Sequence, residues 1–190
     1  MNHFPVFLAL EGRLVVICGD GAMARARLRL LARTSARLTI FAPEPEPELV
    51  TEAADAGARL ERRAVQAGDL AGAVLAYAAN GDKRDEAIAA MAREAGVPVN
   101  AIDNLPASDF ITPAIVDRDP VCVAVGTEGT SPVLARSIKA DLESRLPATL
   151  GVLARAAGGF RKQAEALPQG RARRDFWADF HFDTGPRALL

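Results

Sequence analysis

Gly19, Gly21 and Ala24 stand at G-x-G-x-x-A spacing directly after the apolar run Val15-Val16-Ile17-Cys18. Small residues in this pattern suit a βα turn that receives a dinucleotide. Gly19 makes the tight turn, Gly21 lets the backbone approach a pyrophosphate, and Ala24 keeps the next helix close to the sheet. The start of that helix then offers unpaired N–H groups to the anion. Glu44, roughly 20 residues further on, sits where a carboxylate that binds ribose hydroxyls is expected. Glu44, Glu46 and Glu48 also read as charges that solvate a proline-rich loop, and spacing does not separate the two readings. No arginine follows the second strand to receive a 2′-phosphate, which favours NAD over NADP.

Two further segments carry polar groups at places where ligands bind. Asp103, in Asn100-Ala101-Ile102-Asp103-Asn104, follows an apolar strand, so its carboxylate can face the cofactor crevice and act as a general base. The same Asp-Asn-Leu-Pro sequence is also ordinary turn chemistry. The loop Gly126-Thr127-Glu128-Gly129-Thr130-Ser131-Pro132 opens a helix and suits either a carboxylate or phosphate group or simple capping. His3 and His181 are the only histidines, which rules out a His-based triad or a conventional His metal site within the chain.

The elements that position these groups follow an alternating pattern. Strand-like runs at Leu14–Ile17, Arg37–Phe41, Arg59–Arg63, Val74–Ala78 and Pro98–Ala101 alternate with helix-like runs at Ala22–Ala32, Glu48–Ala56 and Asp82–Ala95. Gly57 and Gly96 serve as helix stops. This is the pattern of an α/β parallel sheet. It changes after Phe110, where Ile111–Val116 and Val121–Val125 predict a hairpin around Asp117-Arg118-Asp119-Pro120. A helix from Val133 to Leu142 follows, with Ser131 as N-cap and Pro132 in its first turn. Helical spacing from Pro147 onward predicts a helical tail that closes at 171–182. In that tail the basic run Arg171-Ala172-Arg173-Arg174 fits an amphipathic helix with Phe176, Trp177 and Phe180 turned inward better than a nucleic-acid surface.

A net charge of −1 offers no global field for nucleic acid or membrane, and the apolar content supports a substantial core. Two distant cysteines, Cys18 and Cys122, exclude a disulfide framework and fit a reducing compartment. No run reaches membrane-spanning length and the N-terminus lacks a signal-peptide pattern, so a soluble cytoplasmic protein is expected.

Taken in order, these segments resemble the N-terminal module of siroheme synthase, the precorrin-2 dehydrogenase and sirohydrochlorin ferrochelatase family. The likeness is carried by His3-Phe4-Pro5-Val6-Phe7-Leu8, Gly19-Asp20-Gly21, Ala42-Pro43, Asn100-Ala101-Ile102-Asp103, Phe110-Ile111-Thr112-Pro113-Ala114-Ile115-Val116-Asp117-Arg118 and Gly129-Thr130-Ser131-Pro132-Val133-Leu134-Ala135-Arg136. The resemblance implies an NAD-binding Rossmann-like domain over 1–112, a dimerisation segment of hairpin plus helix over 113–146, and a small helical C-terminal region over 147–190. It also implies a homodimer. The implied activity is NAD-dependent oxidation of precorrin-2 to sirohydrochlorin, followed by insertion of Fe²⁺ as a substrate to give siroheme.

By position, Ala22, Met23, Pro43 and Glu44 line the NAD site, and Asn80 stands where the family has threonine after the fourth strand. Asp103 matches the aspartate assigned to both reactions. One carboxylate can serve both, because dehydrogenation and metal insertion each release protons from the macrocycle. The tetrapyrrole supplies the nitrogen ligands, so no protein metal site is expected. Its carboxylates make Arg118, Arg136, Lys139 and the helix start at Thr130-Ser131 candidate anchors.

Asp20 departs from the glycine usual in the family, and a carboxylate turned inward there opposes a pyrophosphate. Ala26-Arg27 replaces Arg-Lys. These departures leave two alternatives: a member that keeps only chelatase activity, and a non-catalytic module that binds a nucleotide or tetrapyrrole.

Overall fold

Five short apolar runs pair in parallel to build the sheet that carries the candidate site. They are β1 (Leu14–Cys18), β2 (Arg37–Phe41), β3 (Arg59–Glu61), β4 (Ala73–Ala78) and β5 (Val99–Ala101), in the order β3-β2-β1-β4-β5. In the computed structural model, which describes residues 1–185, the chain divides into two compact units between Thr112 and Pro113. The sheet belongs to the first.

Alternation along the strands assigns the two faces of this sheet. Val15, Ile17, Leu38, Ile40 and Tyr77 join a core with Leu28, Leu31, Leu49 and Ala53 from helices α1 (Ala22–Leu31) and α2 (Pro47–Asp55). Val16, Cys18, Ala76, Ala78 and Val99 face Ile88, Ala89 and Ala92 of α3 (Arg84–Glu94). Because both faces are covered, Val15, Val16 and Ile17 are fully buried, and β1 reads as a continuous apolar run. The strand order reverses between β1 and β4. In such sheets that reversal opens a crevice beyond the carboxyl ends of the strands.

Several boundaries differ from the sequence reading for local reasons. β3 ends at Glu61, because the Arg63 guanidinium turns away to grip Asp69, with both contacts at 2.7 Å, and lies over the Phe41 ring. Helix α2 starts one residue earlier than expected, on Pro47, whose missing N–H costs nothing at a first helical position. Both α2 and α3 are closed by glycines in the left-handed region, Gly57 at φ +63 and Gly96 at φ +69.

In the second unit, β6 (Ala114–Arg118) and β7 (Val121–Val125) form an antiparallel hairpin with Val116 opposite Val123. The first strand starts at Ala114 rather than Ile111, since Pro113 has no N–H to give a ladder. Helix α4 (Pro132–Arg145) packs on β6 and is capped by Ser131, whose Oγ accepts the Leu134 N–H at 3.4 Å. Helices α5 (Leu150–Gly159), α6 (Arg161–Glu165) and α7 (Arg171–Asp179) follow, ending in a π-helical turn at Phe180–Thr184. The aromatics of α7 and of this turn pack together, Phe176 on Trp177 at 5.1 Å and Trp177 on Phe180 at 5.8 Å between ring centres. Residues 186–190 of the expected helical region lie outside the described residues. Among the described residues no helix is long and apolar enough to cross a membrane.

Candidate functional site

Strand register brings the first unit's predicted residues to one edge. Cys18 is level with Phe41 on one side and Ala78 on the other, and Ala78 is level with Ala101. The ladder continues one step further. Gly19 N–H donates to the Phe41 carbonyl at 3.0 Å, Ala79 N–H to the Cys18 carbonyl at 2.7 Å, and Ile102 N–H to the Ala78 carbonyl at 2.9 Å. Gly19-Gly21, Pro43-Glu44, Asn80 and Asp103 therefore leave the sheet from the same edge. Two interstrand spacings of about 4.8 Å put β5 roughly 10 Å from β1 across that edge.

The glycines of the first turn have different jobs. A Cβ on buried Gly19 would overlap the backbone carbonyl of Ala79, so only glycine allows β1 and β4 to close together there. A Cβ on Gly21 would meet only the Glu46 carboxylate, 2.8 Å away at the end of a flexible side chain. Gly21 caps α1 with no side-chain hydrogen bond, and Ala22 and Met23 begin the helix. Met23 reaches across to Gly81, where a Cβ would lie 3.0 Å from its terminal methyl. These residues fit a dinucleotide once the flexible Glu46 carboxylate swings aside from the cradle at Gly21, because the helix start there has no side-chain cap.

Asp20 does not point at that cradle. Its Oδ1 accepts the Glu44 N–H at 3.0 Å, its Oδ2 pairs with Arg84 Nη1 at 3.0 Å, and its carbonyl accepts the Glu46 N–H at 2.9 Å. The expected conflict with a pyrophosphate is thereby relieved, since the charge is neutralised and turned across the mouth. Arg84, gripped by Asp82 as well as Asp20, has its pKa pushed further above the usual guanidinium value. Glu44 gives its backbone N–H to this link and leaves an exposed carboxylate that no described residue engages. Glu46 pairs with Arg25 at 3.5 Å.

Asn80 is held by a buried carboxylate that sequence reasoning missed. Asp85, 2% exposed, accepts the Asn80 N–H at 3.0 Å, its side-chain amide at 2.8 Å and the Gly81 N–H at 2.8 Å. This fixes the loop after β4 and turns the Asn80 amide into the protein. The only hint in the sequence is an acid in the first turn of α3, a place that helix dipoles favour. The Asp85 charge also acts on Cys18. Burial first, then Asp85 and Asp69, push that thiol up to about 12.

Asp103 has a left-handed backbone, φ +60, in the turn closed by Asn104 N–H on the Ala101 carbonyl at 3.1 Å. It is exposed, and no described residue donates to its carboxylate. The side-chain work of the turn falls to its neighbours. Asn104 Oδ1 accepts the Ala107 N–H at 3.3 Å, and Ser108 Oγ donates to the Ala101 carbonyl at 3.0 Å. Turn formation thus accounts for the Asp103 backbone and leaves its carboxylate available.

The second unit assigns local tasks to most of its predicted anchors. Arg118 spends its guanidinium on backbone carbonyls, Leu146 at 2.9 Å, Glu143 at 3.0 Å and Asp117 at 3.0 Å, so it caps the end of α4 rather than standing free for a carboxylate. Lys139 pairs with Glu143 at 2.9 Å. Thr130 Oγ1 donates to the Thr127 carbonyl and Ser131 Oγ caps α4, which is the capping alternative for this loop. Arg136 is exposed on α4 and no described residue pairs with it. Among the described residues no group of three or more His, Cys, Asp or Glu is placed to hold a metal ion.

Two known families match separate parts of the chain. The family described as "Putative NAD(P)-binding" matches residues 6–114, and the one described as "Sirohaem synthase dimerisation region" matches residues 149–190. The siroheme synthase of Methylococcus capsulatus (strain ATCC 33009 / NCIMB 11132 / Bath) is 42% identical over 180 residues, covering 93% of this chain and 38% of that protein. That of Pseudomonas aeruginosa (strain LESB58) is 43% identical over 192 residues, covering the whole chain and 41% of that protein. The chain therefore spans about two fifths of the length of these curated relatives. Among solved structures, SirC, a precorrin-2 dehydrogenase, superposes with a TM-score of 0.70 over 99% of this chain and 94% of its own, at 24% identity, and so shares the fold. With more than half of its residues in the NAD(P)-binding match and its whole length aligned to siroheme synthases, the chain belongs to the NAD(P)-binding family in the form that siroheme synthases carry.

Proposed function

We propose that this chain oxidises precorrin-2 to sirohydrochlorin with NAD⁺, and that Asp103 serves as general base. The observation that carries the reading is the Asp103 carboxylate, exposed and unengaged on a left-handed turn, at the same sheet edge as the glycine cradle. A non-glycine residue in that backbone region is sparsely populated, and such residues cluster at functional sites.

The reaction removes one hydride and one proton from the macrocycle. Bound NAD⁺ supplies the hydride acceptor. The chain's own residues do the rest. The Gly19–Gly21 backbone and the start of α1 seat the pyrophosphate, Glu44 accepts from ribose hydroxyls, and Asp103 takes the departing proton. The Asp20–Arg84 link supports retention of cofactor binding over the chelatase-only alternative, because it keeps the one acidic residue of the turn away from the phosphates.

Insertion of Fe²⁺ into sirohydrochlorin is proposed as a second reaction at the same carboxylate. There the tetrapyrrole's nitrogens bind the metal as substrate, and Asp103 accepts N–H protons. Arg136 and the Thr130-Ser131 helix start remain the proposed second-unit contacts for substrate carboxylates. A homodimer is supported by the match of residues 149–190 to the sirohaem synthase dimerisation region.

The test is to follow NADH formation with precorrin-2 and NAD⁺, then iron insertion with sirohydrochlorin and Fe²⁺. Asp103→Asn is expected to lower both rates by on the order of 10²-fold or more while the Kd for NAD⁺ stays unchanged. If the parent protein accelerates neither reaction above background, the enzyme reading fails and the binding-module alternative takes its place.

A further inference from the structure

Helix α1 carries three arginines, and only one has no carboxylate. Arg25 and Arg29, one turn apart, both close on Glu52, with Nε–oxygen distances of 3.1 and 2.8 Å. Arg27 lies between them in sequence and so projects from the opposite side of the helix, about 200° around at ~100° per residue. Among the described residues it forms no ion pair. Its Nε is buried and has no hydrogen-bond acceptor. What it has is a ring, for its guanidinium carbon sits 5.7 Å from the centre of Tyr77.

Tyr77 is itself fixed. It meets Phe110 edge-on at 5.4 Å, and its hydroxyl lies 3.3 Å from Thr112 Oγ1. It belongs to β4, on the face shared with α1, level with Asn100 of the neighbouring strand β5. Asn100 precedes Asp103 by three residues, a span of at most about 10 Å. The buried Nε cannot meet an incoming ligand, but Arg27 is only part-buried and no described residue takes its Nη donors, which leaves them for a planar acceptor. The chemistry that suits them is a carboxylate, taken by a charge-assisted, two-pronged contact.

We propose that Arg27, supported by Tyr77, is a carboxylate-binding subsite that anchors an acidic substituent of the macrocycle beside Asp103. This rests on the reading that the substrate is a polycarboxylated tetrapyrrole. Arg25 and Arg29 do not share the role, since Glu52 engages both and Glu46 pairs with Arg25 as well.

The experiment compares the parent protein with Arg27→Gln and Arg27→Lys. Uroporphyrin, a stable polycarboxylated porphyrin, is titrated in by its own absorbance without cofactor, and turnover of precorrin-2 with NAD⁺ is measured separately. Arg27→Gln is expected to raise the uroporphyrin Kd and the precorrin-2 KM roughly tenfold or more, as fits loss of a charge-assisted contact. Its kcat, its NAD⁺ Kd and its melting temperature are expected to stay at parent values, and Arg27→Lys to recover part of the affinity. A merely structural role would lower the melting temperature and leave KM alone, and that result overturns the proposal. So does unchanged porphyrin affinity in Arg27→Gln, or a shift of oligomeric state by sedimentation with porphyrin affinity intact, which assigns the arginine a carboxylate on a second copy. Arg27-dependent porphyrin binding in a parent protein without turnover supports the subsite while refuting the dehydrogenase reading. Turnover with an Arg27-independent KM does the reverse.

Discussion

Alanine at Gly19 and at Gly21 should damage the protein in separable ways. At Gly19 the new methyl overlaps the Ala79 carbonyl, and backbone on both sides is tied down, Ala79 N–H to Cys18 at 2.7 Å and Gly19 N–H to Phe41 at 3.0 Å. Relief requires the ends of β1 and β4 to part, which strains or breaks the first of these bonds. A lost backbone hydrogen bond costs about 1 kcal/mol and overpacking a further 1–3 kcal/mol, about 2–4 kcal/mol together. For a chain of this length that lowers the melting temperature by roughly 5–15 °C. At Gly21 the methyl meets a side-chain carboxylate that swings aside, so stability should stay within about 0.5 kcal/mol of the parent. The methyl nonetheless occupies the cradle, and the NAD⁺ Kd should rise at least about tenfold, or ~1.4 kcal/mol. Scanning calorimetry reads the first effect and isothermal titration with NAD⁺ the second. Equal destabilisation by the two substitutions, or an unchanged NAD⁺ affinity in Gly21→Ala, would refute the division of labour between the two glycines.

Other outcomes follow from the same contacts. Asp85→Ala should cost about 2–4 kcal/mol in urea unfolding, because it orphans the N–H groups of Asn80 and Gly81, and Asp85→Asn should cost less since one acceptor oxygen remains. Asp103→Gly should raise stability by about 0.5–1 kcal/mol by relieving the left-handed turn while abolishing turnover. With an aromatic disulfide reagent at pH 8, one thiol per chain, Cys122, should react quickly, and Cys18 only after unfolding. The folded protein holds the Cys18 proton up to about 12 and an unfolded chain only to about 9.0. That part of the stability is complete below the lower value and is lost as pH rises from it, so the urea midpoint should fall through alkaline pH.

Legible in the sequence was whatever neighbouring residues determine among themselves. The apolar run Val15–Cys18, the glycine stops at Gly57 and Gly96 and the Ser131-Pro132 helix start all act within a few residues of themselves, and all stand where their types suggest. The site's wiring depends instead on register. Arg84 reaches Asp20 across 64 positions of sequence, and that pairing exists only because β1 and β4 are neighbours. Asp85 looked like one acid among several near the start of α3, and only burial distinguishes it from exposed Glu86. Arg118 matched a substrate anchor by charge, but the end of α4 falls beside it and takes its donors. Charge can be read from composition, whereas what neutralises it is a property of the fold.

The Asp20 link has a thermodynamic side as well. It fastens the loops that follow β1 and β2 to the start of α3, so three segments around the mouth are ordered together when the chain folds. With glycine at that position only the backbone bond from Glu46 N–H to the residue-20 carbonyl is left, the tie to α3 is lost, and a ligand has to still more of the mouth on arrival, at about 0.5–1.5 kcal/mol for each immobilised side chain. A residue that opposes an anion through its charge therefore favours the anion through entropy, and tighter NAD⁺ binding by the parent than by Asp20→Gly would carry that signature.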